Sequence, residues 1–119
     1  METPIQFRID QKDGVGIFHI DDRRLDSKIS TLYKQEFVRL KEQGLTQLVV
    51  DLSDVEFIDS SGLGALLMGR RLMEEAGGDL CVSGTQEKVL HMFRIVKLDR
   101  VFAFFDTADA AIEGFKAGA

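Results

Sequence analysis

The spacing of hydrophobic residues changes along the chain, and each change predicts an element. From Ile5 to Ile20 the apolar residues fall two apart, which is typical of two half-buried strands joined by a turn at residues 11–14. Residues 21–26 are polar and predict a loop. The nearly unbroken apolar run at residues 48–50 predicts a strand that is buried on both faces, and residues 80–82 and 101–105 predict two more strands.

Four further segments have the three-to-four-residue spacing of helices that bury one face. The first carries apolar residues from Ile29 to Leu40, with Ser27 or Ser30 as a candidate cap and Gly44 as a stop. The second covers residues 60–76 and ends at Gly77 and Gly78. The third and fourth follow candidate caps, and their inward positions are Val89, Met92, Phe93 and Val96 after Thr85, and Ala108, Ala111, Ile112 and Phe115 after Thr107.

Strands and helices alternate from residue 46 onward, and this alternation predicts parallel strands with crossover helices. We therefore expect an α/β fold, with a mixed, mostly parallel sheet of about five strands and about four helices. The 119 residues fit one domain, residues 1–119, and the 45% of hydrophobic residues is ordinary for a globular protein.

Charge and apolar content exclude several classes of protein. The formal charge is −5 and the basic residues are scattered, which argues against direct nucleic-acid binding. No apolar run has membrane-spanning length and no signal peptide opens the chain, so we expect no membrane insertion and a cytoplasmic location. Cys81 is the single cysteine, and its apolar neighbours predict a packed core thiol.

The segment Asp59-Ser60-Ser61-Gly62-Leu63-Gly64 stands where a strand-like run meets the second helix. The start of a helix has unpaired N–H groups and a positive dipole end, and it accepts an anion readily. One interpretation is structural, because serine is a good helix cap and glycine permits a tight turn. The other is that Ser60 or Ser61 is phosphorylated. Each glycine costs a helix about 1 kcal/mol relative to alanine, and close approach of another backbone would account for that cost.

The second helix is apolar around much of its circumference. One stripe is formed by Leu63, Leu66, Leu67, Arg70 and Met73, and another by Ala65, Met68, Leu72 and Ala76. Such a helix is either deeply buried or exposes apolar residues to a partner. In the second case Met68 and Leu72 extend a binding surface beside Ser60.

Other chemistry finds little support in the sequence. Gly62, Gly64 and Gly69 match no dinucleotide or Walker motif, and His19 and His91 have no ligand-spaced companions, so we expect no cofactor and no metal site. A small enzyme would need acid-base residues around Ser60 or Asp51, and too few are present. Asp51 at a strand end, with the acidic pair Asp21 and Asp22, imitates the phosphoacceptor of receiver domains. The late lysine-proline element of those domains is missing, and Asp51 is better interpreted as a residue that ends a strand and starts a turn.

Residues 50–64 (VDLSDVEFIDSSGLG) resemble the signature of STAS domains, and specifically of bacterial anti-sigma factor antagonists. The likeness extends back to Arg24-Leu25-Asp26 and forward through residues 77–80 and 98–106. The resemblance implies a non-enzymatic regulator. Its unphosphorylated form binds an anti-sigma factor that is also a serine kinase, Mg-ATP-dependent phosphorylation of the antagonist separates the two, and a phosphatase restores binding.

On this sequence the resemblance implies that Ser60 is the phosphoacceptor, with Ser61 as the fallback. Asp26 matches a loop aspartate that takes part in kinase recognition. The full set of expected partner-binding residues is Asp26, Asp59, Ser61, Gly62, Gly64, Met68 and Leu72. Arg23 stands where the family often has glycine, which makes this loop more charged than usual. Some STAS proteins act without phosphorylation, as scaffolds or transporter-associated regulatory subunits, and that alternative stays open.

Overall fold

A hairpin opens the part of the chain that the computed structural model describes, residues 5–117. Strands β1 (Phe7–Lys12) and β2 (Val15–Ile20) pair in antiparallel register, and the turn between them uses the left-handed conformations of Asp13 and Gly14. The predicted hairpin is therefore confirmed. The prediction that both strands are half-buried is wrong for β2, because β2 lies inside the sheet and is buried at nearly every position.

The main sheet continues with β4 (Gln47–Asp51), β6 (Asp79–Ser83) and β7 (Phe104–Phe105). Within the described residues its order is β1-β2-β4-β6-β7, and every pair except β1 with β2 is parallel. The predicted mixed, mostly parallel α/β sheet is confirmed. Strand β7 is shorter than the predicted strand at residues 101–105, because residues 99–102 form turns instead.

A second pairing lies apart from the main sheet. Strands β3 (Arg24–Leu25) and β5 (Phe57–Ile58) form a short parallel ribbon. The predicted loop at residues 21–26 is therefore wrong at this point, since Leu25 is fully buried and paired with Ile58. A strand of two residues is too short to show an alternating pattern in the sequence.

The sheet is covered on both faces. Helices α1 (Ser30–Glu42), α2 (Ser60–Glu75) and α3 (Glu87–Ile95) contribute to the larger apolar cluster, together with Leu48 and Val50 of β4. Helix α4 (Ala108–Ala117) packs against Val49 and Cys81 on the opposite face. Residues 48–50 are therefore buried from both sides, as predicted. The Cys81 thiol is a core group, and burial raises its pKa to about 12.

The predicted helix caps are only partly correct. Thr107 caps α4, because its Oγ1 accepts a hydrogen bond from Ala110 N at 3.1 Å. Helix α1 begins after Ile29 without a side-chain cap, and Ser30 is buried, so the prediction of Ser27 or Ser30 is wrong. Thr85 does not cap α3 either, since that helix begins after Gln86.

The helix ends agree better with the sequence. Gly44 and Gly77 have φ values of 84° and 88°, in the left-handed region that favours glycine, directly after the caps of α1 and α2. The predicted inward position of Val96 is wrong, because Val96 follows the last residue of α3 and is 42% exposed.

Candidate functional site

Asp59 caps the start of α2. Its backbone is extended, its Oδ1 accepts a hydrogen bond from Gly62 N at 3.0 Å, and its carbonyl accepts one from Leu63 N at 3.0 Å. The capping interpretation of the two serines is therefore wrong, since a carboxylate already fills that role. Ser60 is the first residue of the helix and is exposed, whereas Ser61 is half-buried. The Ser60 hydroxyl is thus accessible and is not needed to begin the helix.

The two glycines near the helix start have different roles. A Cβ atom on Gly62 would lie 2.2 Å from the carbonyl oxygen of Leu25, so this glycine permits close approach of β3. Gly62 is buried, and this packing role is sufficient to explain a glycine at this position. A Cβ on Gly64 would meet nothing within 4 Å. The expected close approach of a backbone therefore explains Gly62 and does not explain Gly64.

Asp26 lies beside this helix start because of the ribbon register. Leu25 pairs with Ile58, and Asp59 N donates to the Leu25 carbonyl at 3.3 Å, so Asp26 and Asp59 follow equivalent ends of two parallel strands. The Asp26 carboxylate accepts a hydrogen bond from Lys28 N at 3.1 Å, and its carbonyl accepts from Ser30 N at 2.9 Å. These bonds hold Asp26 at the turn into α1. The structure therefore brings Asp26, Asp59 and Ser60 to one edge of the ribbon.

An arginine and an aromatic ring, for which the sequence predicted no contact, occupy the exposed face of the same ribbon. The guanidinium carbon of Arg24 lies 4.1 Å from the centre of the Phe57 ring, and Arg24 Nε lies 3.5 Å from Asp26 Oδ2. Phe57 is 38% exposed. Because side chains alternate across a strand, Arg24 and Asp26 would have been expected on one face if a strand had been predicted at these residues. The sequence predicted a loop there, so this contact was missed.

The comparison with protein families agrees with this geometry: the model for the STAS domain matches residues 6–111. The chain belongs to the STAS domain family. The Asp59 to Gly64 segment, at the start of α2, lies inside the matched region, as do both strands of the ribbon.

Individual proteins are similar to this chain in sequence and in fold. This STAS domain is 25% identical to the anti-sigma-B factor antagonist of Bacillus subtilis over 89 residues, which are 75% of this chain and 81% of that protein. The crystal structure of TM1081 from Thermotoga maritima is 28% identical, covers 92% of this chain and 94% of that one, and superposes with a TM-score of 0.83. The unphosphorylated Bacillus SpoIIAA structure has the same fold, with a TM-score of 0.79 at 18% identity over 94% of this chain and 97% of that one.

A groove runs along the STAS domain beside the Ser60 edge, between α1 and α2. It has a volume of about 450 Å³ and is lined by Lys34 of α1 and by residues of α2 that include Gly64, Met68 and Leu72. Met68 and Leu72 are half-buried. The sequence left burial and surface exposure of this stripe as alternatives, and the structure places these two residues at the wall of an open groove, whereas Ala65 is fully buried.

The other candidate phosphoacceptor, Asp51, is engaged by the STAS fold. Its Oδ2 lies 2.8 Å from His19 Nδ1 and its Oδ1 accepts a hydrogen bond from Ser53 N at 3.0 Å. The interpretation of Asp51 as a turn residue is confirmed by the second bond. The pairing with His19 was missed, because histidine and aspartate stand on different strands and only the register of β2 with β4 brings them together.

The acidic pair that would support Asp51 is also engaged. Asp22 accepts a hydrogen bond from the Tyr33 hydroxyl at 2.6 Å, and Asp21 pairs with Arg8 at 3.0 Å. Burial, followed by the bond to Asp22, raises the pKa of Tyr33. Asp22 therefore bonds to α1, and Asp21 pairs with β1.

Residues 5–117 contain no group of three or more His, Cys, Asp or Glu side chains arranged to hold a metal ion. None of their helices is long and apolar enough to cross a bilayer.

Proposed function

We propose that this STAS domain is an anti-sigma factor antagonist that is switched by phosphorylation of Ser60. The observation that carries the proposal is the division of labour at the start of α2, where Asp59 makes the cap and Ser60 leaves its hydroxyl at the surface. The name of the Bacillus subtilis relative, an anti-sigma-B factor antagonist, supports the same role. Ser61, which is half-buried, is the fallback acceptor.

The partner is an anti-sigma factor that is also a serine kinase and supplies Mg-ATP. In the transfer, Ser60 Oγ forms a bond to the γ-phosphorus, and the bond from that phosphorus to the β–γ bridging oxygen breaks. ADP leaves with the electron pair, and the hydroxyl proton passes to a base of the kinase. This domain contributes the nucleophile and its position only. It acts as a binding module, not an enzyme, and a phosphatase returns it to the starting form.

The electrostatics of the site explain why the modification would separate the partners. A phosphoserine carries about −1.5 to −2 charges at neutral pH. At Ser60 this charge joins the carboxylates of Asp26 and Asp59 at the same edge. A partner surface that fits the neutral hydroxyl would then face three neighbouring anionic groups, and placing like charges together in an interface costs several kcal/mol.

The docking surface in this proposal extends from the Ser60 edge into the groove between α1 and α2. Asp26, Asp59 and Ser61 lie at the edge, and Gly64 with Met68 and Leu72 lines the groove. Methionine suits such a surface because its side chain adapts to different partners. We propose a cytoplasmic protein whose functional unit is one domain, residues 1–119, without direct contacts to nucleic acid.

The experiment is phosphate mapping on the protein from its source cells. The chain and its Ser60→Ala and Ser61→Ala variants are expressed from the native locus, purified with phosphatase inhibitors, and analysed by peptide mass spectrometry. We expect phosphate on Ser60 in the unchanged chain and in the Ser61→Ala variant, and its loss in the Ser60→Ala variant. Full phosphate occupancy in the Ser60→Ala variant would refute the assignment.

Binding to an anti-sigma factor from the same genome separates the antagonist role from the scaffold role. We expect the Ser60→Ala variant to bind like the unchanged chain and the Ser60→Asp variant to bind at least about tenfold more weakly, because the added carboxylate mimics part of the phosphate charge. Equal affinities for all three chains would favour a scaffold without a phosphorylation cycle.

A further inference from the structure

The start of α2 is already occupied by one anion. The Asp59 carboxylate accepts from Gly62 N, and the Asp26 carboxylate is held one strand away by Lys28 N. A phosphate on Ser60 would therefore join two carboxylates, at a helix end whose positive dipole is partly compensated. A cation within reach of Ser60 would offset the charge that the phosphate adds.

Arg24 is a basic side chain that contacts this edge. Its Nε lies 3.5 Å from Asp26 Oδ2, which is a long, loose ion pair, and the side chain is 63% exposed. The Phe57 ring holds the guanidinium at 4.1 Å from the ring centre, beside the Asp26 carboxylate. A planar guanidinium that stacks on a ring still presents its N–H groups at the rim of the stack, and arginine binds phosphate in two-pronged geometry.

We propose that Arg24 is a phosphoserine clasp: after phosphorylation of Ser60, its guanidinium turns from Asp26 to the phosphate while it stays stacked on Phe57. The inference deepens the proposed function and rests on it for the event that adds the phosphate. The ligand is a phosphomonoester of this same chain. The clasp holds the modified serine against its own domain, where the arginine offsets the charge next to Asp26 and Asp59.

Arg23 supplies a matched control. It is adjacent in sequence and also exposed, and its Nε lies 3.9 Å from Glu56 Oε2. Side chains alternate across a strand, so Arg23 and Arg24 point to opposite faces of the ribbon. General effects of removing one positive charge should appear in both arginine variants, whereas the clasp involves Arg24 alone.

The test installs phosphoserine at position 60 during translation, so no kinase is needed. A phosphorus NMR titration then measures the second pKa of the phosphate, which is about 6 in an unperturbed phosphoserine. A nearby cation favours the dianion, so we expect the Arg24→Gln variant to titrate about half a pH unit higher than the unchanged sequence. Arg23→Gln should shift the titration much less, and Arg24→Lys should restore part of the effect because it keeps the charge and loses the planar stack.

A second readout excludes a merely structural role. The side-chain Nε–H signal of Arg24 should move when Ser60 is phosphorylated, and that of Arg23 should stay in place. Equal titrations for the Arg24→Gln and Arg23→Gln variants, or an unmoved Arg24 signal, would overturn the clasp.

The titration of the chain with installed phosphoserine can be interpreted whether or not the proposed function is correct. If the protein from source cells carries no phosphate on Ser60, the switch fails, but the titration of the chain with installed phosphoserine still decides whether Arg24 binds it. If the switch holds and the arginine variants titrate alike, the clasp alone is wrong.

Discussion

Two aspartates at strand ends of this domain, Asp51 and Asp59, have different roles. In the main sheet, Asp51 ends β4 and is bound on both oxygens, by His19 and by Ser53 N. In the ribbon, Asp59 follows β5 and caps α2, and the next residue, Ser60, is exposed. At the end of β4, the polar groups bond to one another and hold the sheet together. At the end of β5, the Asp59 carboxylate alone caps α2, and the neighbouring Ser60 hydroxyl stays available, which is the arrangement a modification site needs.

The largest expected effect separates the two glycines beside the ribbon edge. Gly62→Ala puts a Cβ 2.2 Å from the Leu25 carbonyl oxygen and 2.8 Å from Ile58 Cγ1. The backbone of β3 must then shift, and we expect a loss of about 3 kcal/mol in the free energy of unfolding. Gly64→Ala is the control, and it should stabilise α2 by up to about 1 kcal/mol because its Cβ meets nothing within 4 Å. Urea unfolding measures both, and equal stabilities would contradict the packing role of Gly62.

The next largest loss of stability is expected from Asp51, at the end of β4. Asp51→Ala leaves His19 Nδ1 and the Ser53 N–H group without the Asp51 carboxylate, although His19 Nε2 keeps Asp10 at 3.4 Å. Unpaired groups at a partly buried site cost about 2 kcal/mol. Asp54→Ala, three residues further along the chain and exposed, should change the stability by less than about 0.5 kcal/mol. Thermal unfolding of the two variants is the measurement. If Asp51→Ala proved as mild as the control, the hydrogen bonds of Asp51 would not stabilise the end of β4.

The sequence predicts the main sheet better than it predicts the ribbon. The alternation in β1, the unbroken apolar run of β4 and the long apolar segment of α2 are local patterns that predict these elements, and the Asp59 to Gly64 segment identifies the start of α2. The ribbon escaped prediction because Arg24–Leu25 and Phe57–Ile58 are two-residue strands whose pairing is decided only by long-range packing.

The contacts that the sequence missed share one cause. The pairs His19 with Asp51 and Arg24 with Phe57 join residues 32 and 33 positions apart, which no local pattern relates. The expected serine and threonine caps failed at α1, α2 and α3 for a related reason. A cap preference names suitable residue types, but the path of the incoming chain decides which residue stands at the cap.

A smaller effect is expected from the helix cap. Asp59→Ala removes the acceptor of the Gly62 N–H group, and we expect a loss of about 1 kcal/mol. Asp59→Asn keeps an oxygen for the same bond and should recover most of that stability without the charge. Chemical unfolding compares the two variants. A loss in Asp59→Asn as large as in Asp59→Ala would mean that the charge at the dipole end, and not the hydrogen bond, stabilises the helix start.

The smallest effect on stability is expected at Ser60 itself, and it is the sharpest test of the contrast. Since Asp59 makes the cap and the Ser60 side chain is exposed, Ser60→Ala should change the free energy of unfolding by less than about 0.5 kcal/mol. Ser60→Asp should also stay near neutral, because attraction to the helix dipole opposes repulsion from Asp26 and Asp59. Both are measured by urea unfolding beside Asp59→Ala. If Ser60→Ala cost as much as Asp59→Ala, the hydroxyl would be part of the structure that holds α2, and a modification there would disturb the fold as well as the docking surface.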